Sequence, residues 1–192
     1  WSVAFLGDNQ MLVTERPGRL RLIDENGLHD TPIAGLPPVF VSGQGGLFEV
    51  LPAQDYETSQ LIYISFAHGN QDANHTRVIR ARFDGKQLHD VTHIFTSQPA
   101  KSGDAHFGGR MTWLDDGTLV LGLGDGFFFR EDAQKLDTHL AKIVRINADG
   151  TVPQDNPFVG REGTRPEIYS YGHRHVCCTR MNTGRAAAMS ST

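Results

Sequence analysis

A lone histidine lies in a glycine-rich segment just before a run of residues typical of a β-strand. The segment is GDAHFGGR (103–110), and its imidazole belongs to His106. The next residues, MTWLDDGTLVLGLGDG, contain two apolar runs around a DDG turn, and Asp125 closes the second run. If the two runs form an antiparallel hairpin, their outer ends meet, and Asp125 comes beside His106.

His106 and Asp125 are therefore a candidate catalytic pair. A carboxylate next to an imidazole fixes the tautomer of the ring and raises its basicity, which is what a general base requires. A capping or packing histidine is the more common occupant of such a position. The pattern alone leaves both interpretations open.

Other segments with reactive residue types carry weaker signals. GQGG (43–46) and GLGDG (122–126) match neither the dinucleotide-binding fingerprint nor a P-loop, so glycines at crowded strand ends are the better interpretation. His89 and His93 are four residues apart, but their segment has the pattern of loop and strand. Solvated histidines are therefore expected there, and no metal ligands are assigned in this chain.

Composition argues against nucleic acid and against a membrane span. The chain has 192 residues, 18 Lys and Arg against 22 Asp and Glu, and no basic stripe, which argues against nucleic acid. No apolar run approaches the roughly 20 residues that a membrane span needs.

The only cysteines, Cys177 and Cys178, are adjacent, which suits neither a structural disulfide nor a spaced metal site. The chain opens at Trp1 within a strand pattern and without an initiator Met, so its true beginning is expected to be missing, and the sequence neither contains nor excludes an export signal.

Strand signals separated by Asp, Asn and Gly turns dominate the chain. The predicted strands are MLVTE (11–15), RLRLI (19–23), LIYISFA (61–67), VIRARF (78–83), TLVLGL (118–123) and IVRIN (143–147). An acidic or polar turn followed by an apolar pair recurs at Leu12, Leu61 and Leu119, and an Arg-bearing strand recurs at Leu20, Val78 and Ile143. Repeats of roughly 50 to 65 residues built from antiparallel strands are typical of propeller blades. The sequence predicts an all-β fold, part of a β-propeller, with only a weak helical signal over 132–140.

Several motifs, in order, resemble those of the soluble PQQ-dependent sugar dehydrogenases, which include aldose sugar dehydrogenases and glucose/sorbosone dehydrogenases. They are WSVAFLGDNQMLVTERPGRLRLID, SGQGGLFEV, AHFGGRMTW, LGLGDG, HLAKIVRINADGTVPQDNPF and PEIYSYGHR. The resemblance runs from Trp1 to Arg174. It implies a six-bladed β-propeller, about half of which is present here, in agreement with the repeats.

The resemblance also implies roles for individual residues. His106 would be the general base, Asp125 its support, Gln44 a substrate-pocket residue and Arg174 a contact to pyrroloquinoline quinone (PQQ). In the implied reaction the base takes the proton of the anomeric hydroxyl of an aldose while hydride moves from C1 to the quinone, which gives a lactone. An external electron acceptor and a periplasmic or secreted location are implied as well. Calcium is the second implied cofactor, with its ligands in family blades outside this chain.

The sequence departs from the family after Arg174. The family's GHRNPQG reads GHRHVCC here, and Ala141 replaces the usual glycine before Lys142. Residues 1–174 are therefore predicted to be a partial propeller domain, and residues 175–192 a non-homologous tail. Back-translated and read one nucleotide earlier, MNTGRAAAMSST (181–192) can give HEHGPRGGDE, close to the family's EHGPRGGDE, which suggests a shifted reading frame. The chain as written is expected to be inactive.

Two other functions are compatible with a propeller. One is a non-catalytic binding module that keeps the scaffold without the chemistry. The other is a calcium-dependent lactonase- or esterase-type propeller, which would require acidic ligands near the axis. Retention of His106, Asp125 and Gln44 favours the dehydrogenase over the binding module, and the lack of an acidic axial cluster in the sequence disfavours the lactonase.

Overall fold

The chain forms three four-stranded antiparallel sheets in the computed structural model, which describes residues 1–7, 9–174 and 176. The first sheet contains β1 (Ser2–Phe5), β2 (Met11–Glu15), β3 (Arg19–Asp24) and β4 (Gly27–Leu28). The second contains β5 (Leu47–Pro52), β6 (Leu61–Gly69), β7 (Asn74–Phe83) and β8 (Leu88–Thr96). The third contains β9 (Gly108–Trp113), β10 (Leu119–Leu123), β11 (Lys142–Ile146) and β12 (Ile168–Tyr171).

Within each sheet the strands are paired in chain order, which is the topology of a propeller blade. The repeated sequence units occupy equivalent places in the three sheets. The apolar pairs that begin at Leu12, Leu61 and Leu119 lie in second strands, and the Arg-bearing units lie in third strands. The predicted all-β propeller architecture is therefore confirmed.

The core lies between neighbouring sheets. Leu12 and Leu20 of the first sheet pack with Ile64 and Phe83 of the second. On its other face the second sheet contributes Tyr63, Val78, Ile94 and Phe95 to a separate cluster with the third sheet, whose members include Met111, Leu121 and Val144. Because the middle sheet is buried on both faces, β6 is an almost continuous apolar run.

The first strand of every sheet lies on the same side of the assembly. β1 contacts β5, and β5 contacts β9. The Arg110 guanidinium on β9 donates a hydrogen bond of 3.0 Å to the carbonyl of Trp1, next to β1. On β5, the Glu49 carboxylate accepts a hydrogen bond from the backbone N–H of Met111. These polar contacts join the first strands of all three sheets, β1, β5 and β9, which we call the inner strands.

Helices are few and short in the described ranges. A four-residue helix, α1, spans Tyr56–Ser59, and a 3-10 helix spans Arg130–Gln134. The weak helical signal predicted over 132–140 is thus realised only at its start, since Lys135 is already extended and ends the 3-10 helix. A helix long and apolar enough to cross a membrane is not found among the residues described.

Face-to-face packing of the sheets predicts unequal costs for two truncations in the first sheet. Leu12 is fully buried against the second sheet, whereas Val3 lies on the opposite face and is exposed. Leu12→Ala should lower the free energy of unfolding by about 2–5 kcal/mol. Val3→Ala should change it by less than about 0.5 kcal/mol. Urea unfolding of both variants measures the difference, and equal losses would contradict the assigned faces.

Candidate active site

The predicted contact between His106 and Asp125 is present. Nδ1 of His106 lies 2.7 Å from Oδ1 of Asp125. The pairing of β9 with β10 explains why the two side chains meet. Gly108 at the start of β9 pairs with Leu123 at the end of β10, and His106 and Asp125 each lie two residues beyond this pair. The carboxylate is almost fully buried, and the imidazole is largely buried. A charge-assisted hydrogen bond in such surroundings is strong and fixes the orientation of the ring.

Asp125 links three segments of the chain. The oxygen that faces His106 also accepts a hydrogen bond of 2.8 Å from the backbone N–H of Phe127. The backbone N–H of Asp125 donates to the carbonyl of Arg174 at 2.8 Å. One buried residue therefore orients the imidazole, the turn that follows β10 and the segment that follows β12.

Glycines allow the backbone to pass close to the histidine. A Cβ atom placed on Gly124 would lie 2.0 Å from the carbonyl oxygen of His106. Gly108 has a φ of 79°, and its Cβ would lie 2.4 Å from the carbonyl oxygen of Gly122. His106 itself has a φ of 48°, in the left-handed region that side chains rarely adopt. Strained backbone of this kind is concentrated at functional sites.

Gln44 reaches the same place from the loop that precedes the second sheet. Its side-chain Oε1 accepts a hydrogen bond of 2.8 Å from the backbone N–H of His106. Its backbone N–H donates to the carbonyl of Asp104 at 2.7 Å, and the Ser42 hydroxyl donates to the Asp104 carboxylate at 2.8 Å. The Arg16 guanidinium stabilises the loop by donating a hydrogen bond to the carbonyl of Gly45. The structure thus brings Gln44 to His106, and its role toward substrate stays a prediction.

Arg174 contacts Asp125 of the His106–Asp125 pair with its backbone rather than with its side chain. Its carbonyl is the acceptor of the Asp125 N–H, and its side chain is exposed. The guanidinium makes no ion pair with any residue in the described ranges. Its predicted contact with PQQ therefore stays a prediction.

A buried lysine beneath the site had no signal in the sequence analysis. Lys101 is 4 % exposed, and its Nζ lies 3.7 Å from the centre of the Phe107 ring. Burial lowers the pKa of this lysine to about 8, and the nearby Asp104 carboxylate opposes the shift only in part. The ammonium also donates a long hydrogen bond, 3.4 Å, to the carbonyl of Gly103. Lys101 therefore packs against the residue next to His106, and its burial disfavours the charged form.

The remaining histidine and cysteine candidates do not form a site in the described structure. Nε2 of His89 lies 2.7 Å from Oδ2 of Asp84, and His93 is exposed on the same strand, β8. Across residues 1–7, 9–174 and 176 there is no group of three or more His, Cys, Asp or Glu residues that could hold a metal ion. Cys177 and Cys178 lie outside these residues.

Comparison with known proteins gives a consistent result. A family model described as Glucose / Sorbosone dehydrogenase matches residues 1–187. "Aldose sugar dehydrogenase YliI" of Escherichia coli is 37% identical over 95% of this chain and 50% of the relative. A solved structure titled "Crystal structure of glucose dehydrogenase" is 46% identical with a TM-score of 0.87, over 91% of this chain and 52% of that chain.

A PQQ-bound structure belongs to the same group of relatives. It is the aldose sugar dehydrogenase of Streptomyces coelicolor, 29% identical with a TM-score of 0.77, over 91% of this chain and 51% of that one. The chain spans about half the length of the curated relatives it matches. The family match extends past Arg174, but residues 175 and 177–192 lie outside the described part of the chain. The domain boundary at 174 and the shifted reading frame therefore stay predictions.

Gly124, which follows β10, lies so close to the His106 backbone that a side chain there should destabilise the fold. Gly124→Ala should lower the free energy of unfolding by about 1–3 kcal/mol, because a methyl group would collide with the His106 carbonyl. Gly7→Ala is the matched control, since a Cβ there meets nothing within 4 Å. Its effect should stay within about 0.5 kcal/mol. Urea unfolding compares the two variants, and a neutral Gly124→Ala would show that the approach is not tight.

Burial of Lys101 predicts a pH-dependent contribution to stability. Its folded-state pKa of about 8 lies below the value near 10.4 expected in the unfolded chain. Between these values the unfolded chain binds a proton that the folded chain has released, so this lysine makes the unfolding free energy rise with pH. Lys101→Met should remove a slope of up to about 1.4 kcal/mol per pH unit.

The measurement is urea unfolding of wild type and Lys101→Met at several pH values between 8 and 10. The stability of wild type relative to the variant should increase across this range. The control is Lys86→Met, which removes an exposed lysine and should show no such trend. A difference in unfolding free energy between wild type and Lys101→Met that stays constant with pH would contradict the effect of burial on the Lys101 ammonium.

Proposed function

The chain belongs to the glucose/sorbosone dehydrogenase family, and from that premise we propose that its site serves PQQ-dependent oxidation of aldose sugars. The reaction would convert the anomeric C1 alcohol into a lactone. The observation that carries the proposal is the buried Asp125 carboxylate 2.7 Å from Nδ1 of His106. Because the chain spans about half of its curated relatives, the proposal concerns the whole protein of which these blades are part.

His106 is proposed as the general base. With a proton on Nδ1 held by Asp125, the nitrogen that accepts the proton of the C1 hydroxyl is Nε2. The buried carboxylate also stabilises the imidazolium that this transfer creates, as in other carboxylate–histidine pairs. Asp125 is thus a positioning residue, and His106 is the residue that meets the sugar.

Gln44 is proposed to orient the sugar. Its Oε1 is engaged by the His106 backbone N–H, so its side-chain amide has a fixed position beside the base. The NH₂ group of that amide makes no hydrogen bond to the described residues. An amide donor fixed in this way suits a ring oxygen or hydroxyl of a bound sugar.

The residues around the pair fit PQQ, an anionic quinone. The backbone carbonyl of Arg174 accepts a hydrogen bond from Asp125, which fixes the position of this residue. Its exposed guanidinium offers the N–H donors that a carboxylate or quinone oxygen requires. When bound, PQQ supplies the quinone that accepts the two electrons released at C1. Arg174 would hold negative charge at the cofactor, and Asp125 would keep the base beside it.

The remaining parts of the proposal concern the whole protein. Calcium is proposed as the second cofactor, held by residues outside those described here. The electrons would pass on to an external acceptor, and a periplasmic or secreted location is proposed from the family. The polypeptide itself supplies proton transfer and positioning, while the redox step requires the cofactor.

A chimera tests the proposed function. Residues 1–174 replace the matching half of the E. coli aldose sugar dehydrogenase, which covers the same region at 37% identity. With PQQ and calcium added, the chimera should reduce a redox dye in the presence of D-glucose or another aldose. His106→Asn should lower kcat by about 10²–10⁴-fold, because the base is lost. Far-UV circular dichroism confirms that each variant is folded.

The matched control is His93→Asn, which removes an exposed histidine on β8. It should keep the rate of the parent chimera. Undiminished turnover in His106→Asn would refute the assignment of the base. A folded chimera that binds PQQ and oxidises no aldose would favour a non-catalytic binding propeller instead.

A further inference from the structure

Two phenylalanines form an exposed aromatic wall beside the proposed base. The ring of Phe127 meets the His106 imidazole edge-on, with centroids 5.2 Å apart and an interplanar angle of 82°. The ring of Phe128 packs in the same way on Phe127, with centroids 5.0 Å apart. Phe128 is 75% exposed and Phe127 is 36% exposed. We refer to these two side chains as the aromatic wall.

The backbone holds the aromatic wall in an otherwise unfavourable conformation. Phe127 has a φ of 70°, in the left-handed region that favours glycine. Its N–H donates to the same Asp125 oxygen that orients His106, and the N–H of Phe128 donates to the carbonyl of Gly126. Arg130 donates to the carbonyl of Phe127 and places its guanidinium 5.5 Å from the centre of that ring. The wall and the base are therefore positioned by one carboxylate.

Exposed aromatic rings next to a catalytic group are suited to a ligand with an apolar face. Contiguous apolar surface on a soluble protein marks interaction sites, and strained residues concentrate at ligand clamps. The ring C–H groups of a pyranose form such a face, while its hydroxyl groups reach polar partners at the rim. A sugar with C1 at His106 would extend past Phe127 toward the exposed ring of Phe128.

We propose that the exposed ring of Phe128, held edge-on by Phe127, is the platform on which the C–H face of the aldopyranose ring packs, and that it selects cyclic sugars over open-chain polyols. This inference rests on the proposed function, because that function puts the sugar at His106. The platform makes no covalent contribution. It orients the pyranose ring so that the C1 hydroxyl meets His106. This contact lowers KM for pyranoses.

Saturation-transfer NMR on the full 192-residue chain tests the contact without turnover. Saturation of the aromatic protons should reach the ring protons of D-glucose and should reach D-sorbitol weakly. Phe128→Ala should reduce the transfer to glucose several-fold, and Phe128→Trp should restore it. The matched control is Phe5→Ala, because Phe5 is 77% exposed and lies on β1 in another sheet. Equal signals in Phe128→Ala and Phe5→Ala would overturn the platform.

Kinetics in the chimera with the E. coli relative provide the second measurement, which does not depend on the behaviour of the isolated chain. Phe128→Ala should raise KM for D-glucose about tenfold, the effect of losing one aromatic contact. Phe128→Trp should return KM close to that of the parent. An unchanged KM in Phe128→Ala would overturn the proposal.

The two proposals fail in different ways. If His106→Asn abolishes turnover while Phe128→Ala leaves KM and saturation transfer unchanged, the dehydrogenase assignment is supported and the platform is refuted. If saturation transfer to glucose depends on Phe128 but the chimera oxidises no aldose, the platform is supported and the catalytic assignment is refuted.

Discussion

The geometry of the site depends on the buried carboxylate of Asp125. One of its oxygens accepts hydrogen bonds from the His106 ring and from the Phe127 backbone, and its own N–H is bonded to Arg174. A buried carboxylate is costly unless such donors surround it, so the three segments are held together by the same requirement. The proposed base, the aromatic wall and the proposed cofactor contact thereby share one anchor.

That anchor can form only because neighbouring sheets are held rigidly. The middle sheet is buried on both faces, and the inner strands of all three sheets are joined by polar contacts through Arg110 and Glu49. β9 and β10 then bring Gly108 and Leu123 together, and the absence of a side chain at Gly124 lets the backbone of His106 approach. The loop that carries Gln44 completes the site from the adjoining blade. Precise placement of this kind is the main contribution of a scaffold to catalysis.

Much of this arrangement could be predicted from residue pattern. The second and third strands of each sheet have clear alternation and turn punctuation, and the hairpin about the DDG turn was enough to place Asp125 near His106. The short outer strand β4 and the 3-10 helix at Arg130–Gln134 carry too few residues for a periodic signal. Lys101 and the aromatic wall could not be foreseen, because their significance comes from burial and from a left-handed turn set by tertiary contacts. The roles of Gln44 and Arg174 come from family resemblance, and the structure adds only their positions.

The proposed role of His106 depends most directly on which nitrogen carries the proton in the neutral ring. Long-range ¹H–¹⁵N NMR of the histidine side chains, assigned with His106→Asn, reports the tautomer. Neutral His106 should be protonated on Nδ1, and Asp125→Asn should shift the ring toward the other tautomer or a mixture. Protonation on Nε2 in the wild-type chain would contradict it, because the nitrogen proposed to accept the sugar proton would already be occupied.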